Sequence, residues 1–443
     1  MQADGGGSTG SYWEDSAAGA APYDHADPEL EEALAVDVAI IGAGFTGLNA
    51  ALRAQALGAS TVVLDRHHVG FGASGRNGGF CCLGGSKRSP EDMVESYGGR
   101  EAERFSHMQR EAIDHVSALL GTHSIHADRS GSGEVVLAHK RSALKALEEE
   151  GAFVNARFGL GTQMLDETAL EARGLRAAGT YGGLFYPHGF GLHPLKYVRG
   201  LARALRAAGQ PIFARSPVTD IRPELGRWRL DTPKGTVHAR RVILASNGYT
   251  DESLLPWLEG RLLPVLSNVM VTRPLTAVEM VTQGWTSPVM ASDARTLLHY
   301  FRLLPDGRML FGMRGGIFGT AGEEARLRLA IREGFDRLFP ALAHVEATHH
   351  WSGRVCLALD LNPYIGPIPA MPGVFAALAY HGNGVAMGSY AGALAAELAL
   401  EARSPWQLPQ PVRTPLRRFP LPALRRHYLQ MAYWWYGLKD RWG

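Results

Sequence analysis

Cysteine is almost missing. Only Cys81, Cys82 and Cys356 occur in 443 residues, too few for the disulfide framework of a small secreted scaffold, and a reducing cytoplasm fits. Long apolar runs are missing too. Nothing approaches the roughly 18 uninterrupted apolar residues of a membrane-spanning helix. The N-terminus has no basic segment followed by an apolar one, so it does not read as a secretory signal. Excess charge is absent: a formal net charge of +2 gives no electrostatic case for nucleic acid. Histidine is plentiful, but His67/His68, His123/His126 and His349/His350 lack carboxylates or cysteines at ligand spacing. No metal site is expected.

What is present is an ordinary globular composition, 46% hydrophobic and 20% charged. At roughly 100–200 residues per domain, the chain suggests two or three lobes. Residues 1–35 are rich in Gly, Ser, Ala and acid and read as a flexible extension, with Tyr12 and Trp13 able to dock on the body.

The organising stretch is VDVAIIGAGFTGLNAALRAQALGASTVVLD, from Val36 to Asp65. Val36–Ile41 is apolar and β-branched and stops at glycine, as a buried parallel strand does. Gly42, Gly44 and Gly47 follow at G-x-G-x-x-G spacing, enclosing Phe45 and Thr46. They allow a tight turn, close approach to a pyrophosphate, and helix packing on the strand. The Ala/Leu-rich helix behind them would aim its N-terminal dipole at phosphates. Thr61–Leu64 is a second strand. Asp65 ends it, placed to accept from ribose hydroxyls and opposed to a 2′-phosphate, with Arg66 beside it. This stretch alone leaves FAD and NAD open.

The loop RHHVGFGASGRNGGFCCLGG comes next. Its glycines permit close backbone approach, and Arg76 and Asn77 are donors, so it suits a cofactor's pyrophosphate and ring. Arg241–Ala245 is a short strand running into Ser246-Asn247-Gly248, again a turn suited to a nucleotide. Strand-like runs dominate from Pro256 to Arg354, which reads as a sheet-based second lobe inserted within the nucleotide fold. Near the end, Val374–Ala379, the turn His381-Gly-Asn-Gly-Val-Ala386 and the helix Met387–Glu401 form another strand–glycine–helix unit. The division expected is residues 36–90, 190–255 and 355–405 for the nucleotide lobe, 91–189 and 256–354 for the substrate lobe, and 406–443 for an aromatic and basic tail helix. An aromatic stripe at helical spacing usually packs on its own protein or a partner subunit. A peripheral membrane helix is the alternative.

In order, the segments V-x-I-I-G-x-G-x-T-G, GASGRNGG, HPLKYVRGLARA, YFRLLPDGRMLFG, DLNPYIGP and HGNGVAMG resemble the D-amino-acid-oxidase-like flavoproteins. Within that group the resemblance is to the bacterial gamma-glutamylputrescine oxidoreductase-like amine oxidases, with glycine, sarcosine and pipecolate oxidases wider relatives. It covers nearly the whole chain. It implies an α/β fold: a Rossmann-type, glutathione-reductase-like FAD-binding domain with an inserted α+β substrate domain on a large mixed or antiparallel sheet. It implies FAD, with Gly42, Gly44, Gly47 and Asp65 on the ADP half and Val218 near the adenine. Gly72, Ala73, Ser74, Arg76, Asn77 and Gly78 would lie along the pyrophosphate and flavin. Gly382, Asn383, Gly384, Val385 and Ala386 would bring a helix N-terminus to the flavin's pyrimidine ring. No cysteine matches an attachment site, so FAD is expected to be non-covalent.

The implied reaction is oxidation of an amine C–N bond by hydride transfer to flavin, then imine hydrolysis, with O2 or a quinone as acceptor. An amino-acid oxidase is the alternative, and a membrane-docked flavin dehydrogenase subunit a further one. Tyr300 and Arg302, two apart on one strand, share a face and are candidate orienters of an acidic or amide-bearing substrate. Arg354 is the candidate carboxylate clamp, and His381 a candidate neighbour of the flavin.

Overall fold

The computed structural model describes residues 10–17 and 27–442, with the backbone alone for 436–442. Two eight-stranded sheets carry the fold. In the first, the path runs Tyr364–Pro367, Val374–Leu378, Thr236–Leu244, Ala33–Ile41, Thr61–Leu64, Ile212–Phe213. The last five are parallel, and Tyr364–Pro367 is an antiparallel edge. The hairpin Asp220–Glu224/Arg227–Asp231 extends antiparallel from Thr236–Leu244.

Strand alternation explains the layers. Val38 and Ile40 point into a core with the helices Phe45–Ala56, Pro194–Ala207 and Ala386–Ala399. Ala39 and Ile41 point into a second core on the opposite face, with Leu230, Leu255 and Leu258. Burying each such aliphatic side chain contributes about 1.5–3 kcal/mol. The helices Phe45–Ala56 and Ala386–Ala399 touch through glycine. A Cβ added at Gly392 would lie 2.0 Å from Thr46 O.

The second sheet runs Ala347–Leu357, Leu263–Pro274, Arg308–Arg314, His299–Leu303, Met290–Asp293, Glu134–Leu137, Gly183–Tyr186, Gln163–Leu165. All neighbours are antiparallel except Met290–Asp293 with Glu134–Leu137. Its outer face packs Phe301 and Phe311 on Phe335, Phe339 and Trp285, with Phe335 from the helix Ala321–Leu338. Its inner face turns toward the nucleotide lobe.

Two expectations are corrected. The strand starts at Ala33, inside the supposed flexible extension, and the helix Tyr12–Ala17 is built into the body. Tyr12 Oη donates to Asp306 (2.8 Å), and Trp13 stacks near His193 and Trp351. Two large aromatic rings had enough area to dock despite the polar sequence around them. The rest of that extension before Asp27, residues 1–9 and 18–26, lies outside the described residues. The helix Gly99–Thr122, expected with the substrate lobe, buries Ala102, Phe105, Met108 and Ile113 in the core shared with the nucleotide-lobe helices. Its periodicity declared an apolar face but not which sheet that face covers. The tail is a helix, Arg425–Trp442, as expected, and its Trp434 and Trp435 are 74% and 66% exposed. Among the described residues, no helix is long and apolar enough to cross a membrane.

Candidate active site

A cavity of about 570 Å³ runs between the two sheets. One end is the dinucleotide turn. Gly42 sits at φ +112°, a conformation L side chains rarely adopt. A Cβ on Gly44 would come 2.7 Å from Ser74 Oγ, and one on Gly47 would come 1.8 Å from Gly42 O. The first spacing leaves room for a phosphate. The second packs the helix on its strand, so Gly47 itself does not line the cavity. Ser74 Oγ accepts from Phe45 N–H (2.9 Å), joining the second glycine loop to the helix N-terminus. Asp65 is buried, and burial raises its pKa. Its two oxygens accept from Ala43 N–H and His67 N–H, both at 2.7 Å. Asp65 therefore braces the turn as well as facing the cavity, a role its spacing alone did not announce. Arg66, Val218, Ser246 and Asn247 line the same end. Gly248 packs instead against Arg354.

The second glycine loop is held from behind. Three successive carbonyls are tied outward: Arg76 O by Trp351 Nε1 (2.7 Å), Asn77 O by Trp13 Nε1 (2.8 Å) and Gly78 O by Arg302 Nε (3.0 Å). The Asn77 side chain closes the loop on itself, donating to Ala73 O and accepting from Gly79 N–H. It is a brace, where a free donor was expected. Gly72, Ala73, Ser74, Arg76, Asn77 and Gly78 all border the cavity. At the other end, Gly382, Asn383, Gly384 and Val385 lead into the helix Ala386–Ala399, whose positive dipole end faces the cavity. Ala386 is buried and does not line it.

The inner face of the second sheet forms the facing wall of the cavity. Antiparallel and parallel registers bring Ser267, Arg314, Tyr300, Ser292, Glu134 and Tyr186 from six different strands into one polar row across that face. Tyr300 pairs with Gly312, where a Cβ would lie 2.0 Å from the tyrosine ring, so glycine is needed for the ring to lie flat. Tyr300 Oη is 3.0 Å from Ser267 Oγ, and burial raises its pKa. Beside it stands Arg314, which sequence reasoning missed. Its guanidinium donates to His381 O (3.3 Å), the residue lines the cavity, and desolvation lowers its pKa. The signal existed: Arg314 follows Gly312 by two residues, so it shares that residue's face. An outer arm of the cavity is lined by Met93, Phe105, Gln109, Glu150, Phe158 and Tyr186. There Tyr186 Oη donates to Glu150 at 2.5 Å.

Two of the four catalytic expectations, Arg302 and His381, are corrected. Arg302 does share a face with Tyr300 but is buried behind the loop. It donates to Gly78 O and Leu192 O (2.6 Å) and does not reach the cavity. His381 has both nitrogens engaged, Nδ1 with Gly85 O and Nε2 with Ala358 N–H, each at 3.0 Å. It is a buried strut whose pKa falls to about 4 through desolvation. Arg354 borders the cavity, but its guanidinium lies over the Tyr249 ring at 5.2 Å. Alternation turns it away from Gly353 and Val355. Among the described residues no cluster of three or more potential metal ligands occurs.

These features fit an extended dinucleotide cofactor: a glycine cradle too tight for side chains, and two helix N-termini at opposite ends. A family model described as "FAD dependent oxidoreductase" matches residues 37–398. Gamma-glutamylputrescine oxidoreductase of Escherichia coli is 31% identical over 446 residues, covering 98% of this chain and 99% of that protein. A probable oxidoreductase OrdL of Haemophilus influenzae is 33% identical over 382 residues, covering 84% of this chain and 85% of its own. Glycine oxidase from Geobacillus kaustophilus superposes with a TM-score of 0.70 at 21% identity, covering 84% of this chain and 96% of that one.

Proposed function

The chain belongs to the FAD-dependent oxidoreductase family, and from that premise we propose that it oxidises the C–N bond of a long amine bearing an anionic end, of the gamma-glutamylputrescine kind. The glycine turn, Asp65, the Ser74–Gly78 loop and the Gly382–Val385 helix start would hold FAD without a covalent bond, and the flavin would supply the acceptor for the hydride next to nitrogen. Arg314 binds the anionic group of the substrate, and Tyr300 fixes its orientation. The outer arm toward Glu150 and Tyr186 takes the length of the chain. The imine product hydrolyses to a carbonyl compound in water. O2 or a quinone then takes the electrons, and the three buried free cysteines suit a reducing cytoplasm.

The observation that carries this reading is Arg314: a half-buried, desolvated guanidinium in the cavity wall, with one hydrogen bond to a carbonyl and no carboxylate paired with it among the described residues. A desolvated cation in that state favours an anionic ligand. The outer arm favours a long amine over sarcosine or pipecolate, which would leave it unfilled. The E. coli relative, matched end to end, supports the same choice.

The test compares two arginines. Arg314→Met should lower kcat/KM for gamma-glutamylputrescine by about 10²–10³, the loss of a charge-assisted pair in a buried site, with an unchanged flavin spectrum. Arg354→Ala should change it less than about threefold. The reverse order would assign the substrate to the far face of the strand and sink this reading.

A further inference from the structure

Among the described residues, Lys87 is the one lysine lining the cavity. It follows the second glycine loop, and its backbone is pinned by Lys87 N–H to Leu361 O (2.9 Å). Its segment is locked onto the start of the helix Ala386–Ala399, where Asn383 Nδ2 donates to Leu83 O (2.5 Å) and a Cβ on Gly84 would collide with Asn383. The side chain is half-buried in the cavity wall, and Nζ has no hydrogen bond or ion pair with any described residue. The groups facing it are Glu134 and Arg314 from two different strands of the second sheet, Cys82 from its own loop and the neutral His381. Glu134 is steadied by Ser292 Oγ (3.3 Å). A lone amine with no fixed partner, beside a carboxylate and aimed into a substrate cavity, is built to change its charge.

We propose that Lys87 is the proton acceptor for the substrate, taking H+ from the bound ammonium so that the amine is neutral when its C–H bond breaks. This rests on the amine-oxidation reading above. The step balances without a co-reactant: R–NH3+ and Lys87–NH2 become R–NH2 and Lys87–NH3+. No bond other than N–H forms or breaks. The new Lys87 ammonium sits beside Glu134, and its proton leaves to solvent after product departs. Lys87 is suited to the work because desolvation, helped by Arg314, lowers it to about 7, while Cys82 and Glu134 resist the fall. A free alkylamine, by contrast, loses its proton near pH 10.4. A base poised near the working pH is the efficient kind.

Two measurements test it. The first needs no substrate. Competitive acetylation of the holoenzyme with acetic anhydride, read by mass spectrometry across pH, should give Lys87 a midpoint near 7, well below the roughly 10.4 of a free alkylamine. The second follows anaerobic bleaching of the flavin by low gamma-glutamylputrescine. In wild type the second-order rate should rise with pH and level near 7. In Lys87→Met it should be lower by on the order of 10²–10³ at pH 7.5 and climb toward pH 10, following the free amine. Lys87→Arg keeps the charge but cannot accept a proton, so it should behave as Lys87→Met. A Lys87 midpoint near 10, an unchanged profile in Lys87→Met, or rescue by Lys87→Arg would overturn the proposal. Failure of gamma-glutamylputrescine to bleach the wild-type flavin would count against the substrate reading alone, since the acetylation midpoint is read without it.

Discussion

At the scale of single residues, chemistry and scaffold exchange places relative to what side-chain type suggests. Arg302 sits in the most family-like segment, yet it serves the backbone: it satisfies Gly78 O and Leu192 O from behind the loop. Arg302→Met should lower the urea midpoint, because two buried carbonyls lose partners at about 1–3 kcal/mol each. FAD retention should fall with it, while the flavin-loaded fraction keeps its KM. His381 makes a sharper test through pH. Its folded pKa, about 4, lies below the ordinary value near 6.5, so the folded state binds fewer protons than the unfolded. The stability it contributes is full above about pH 6.5 and is lost as pH falls toward 4, about 3 kcal/mol in all. Urea melts at several pH values should show the wild type losing this margin over His381→Gln across that window. A constant margin would mean the imidazole titrates normally.

At the scale of elements, the legible parts of the sequence were those whose logic is local. Strand, glycine turn and helix between Ala33 and Ala56 follow from β-branching, spacing and helix propensity within one short stretch, and the unit at Val374–Ala399 follows the same way. Gly47→Ala tests that unit: the new Cβ, 1.8 Å from Gly42 O, must push the helix off its strand. The expected product is a folded protein that is colourless or loses FAD on gel filtration, scored by its visible spectrum. The parts that were not legible depend on register between distant strands. Arg314, Glu134 and Ser292 meet Tyr300 only because of pairings such as Tyr300 with Gly312 and Ser292 with Tyr300. A one-residue shift would turn each to the outer core. Arg354 shows the same sensitivity, standing one position from the face that Val355 presents. Lys87 carried no local signal, being a single lysine in a loop until the helix start and the second sheet closed around it.

At the scale of the molecule, a cavity lies between the two sheets, with the first supplying glycine turns and helix dipoles and the second a polar row that, on the reading proposed here, selects the substrate. The N-terminal helix Tyr12–Ala17 ties them together, bonding through Trp13 to the cofactor loop and through Tyr12 to the sheet turn at Asp306. The central claim is that this cavity oxidises a long amine with an anionic end. Anaerobic titration of the purified yellow protein tests it most directly, with gamma-glutamylputrescine, sarcosine and pipecolate added separately and the flavin absorbance followed. The account predicts full bleaching by gamma-glutamylputrescine and little by the two small amino acids. Bleaching by sarcosine or pipecolate, with none by gamma-glutamylputrescine, would contradict it.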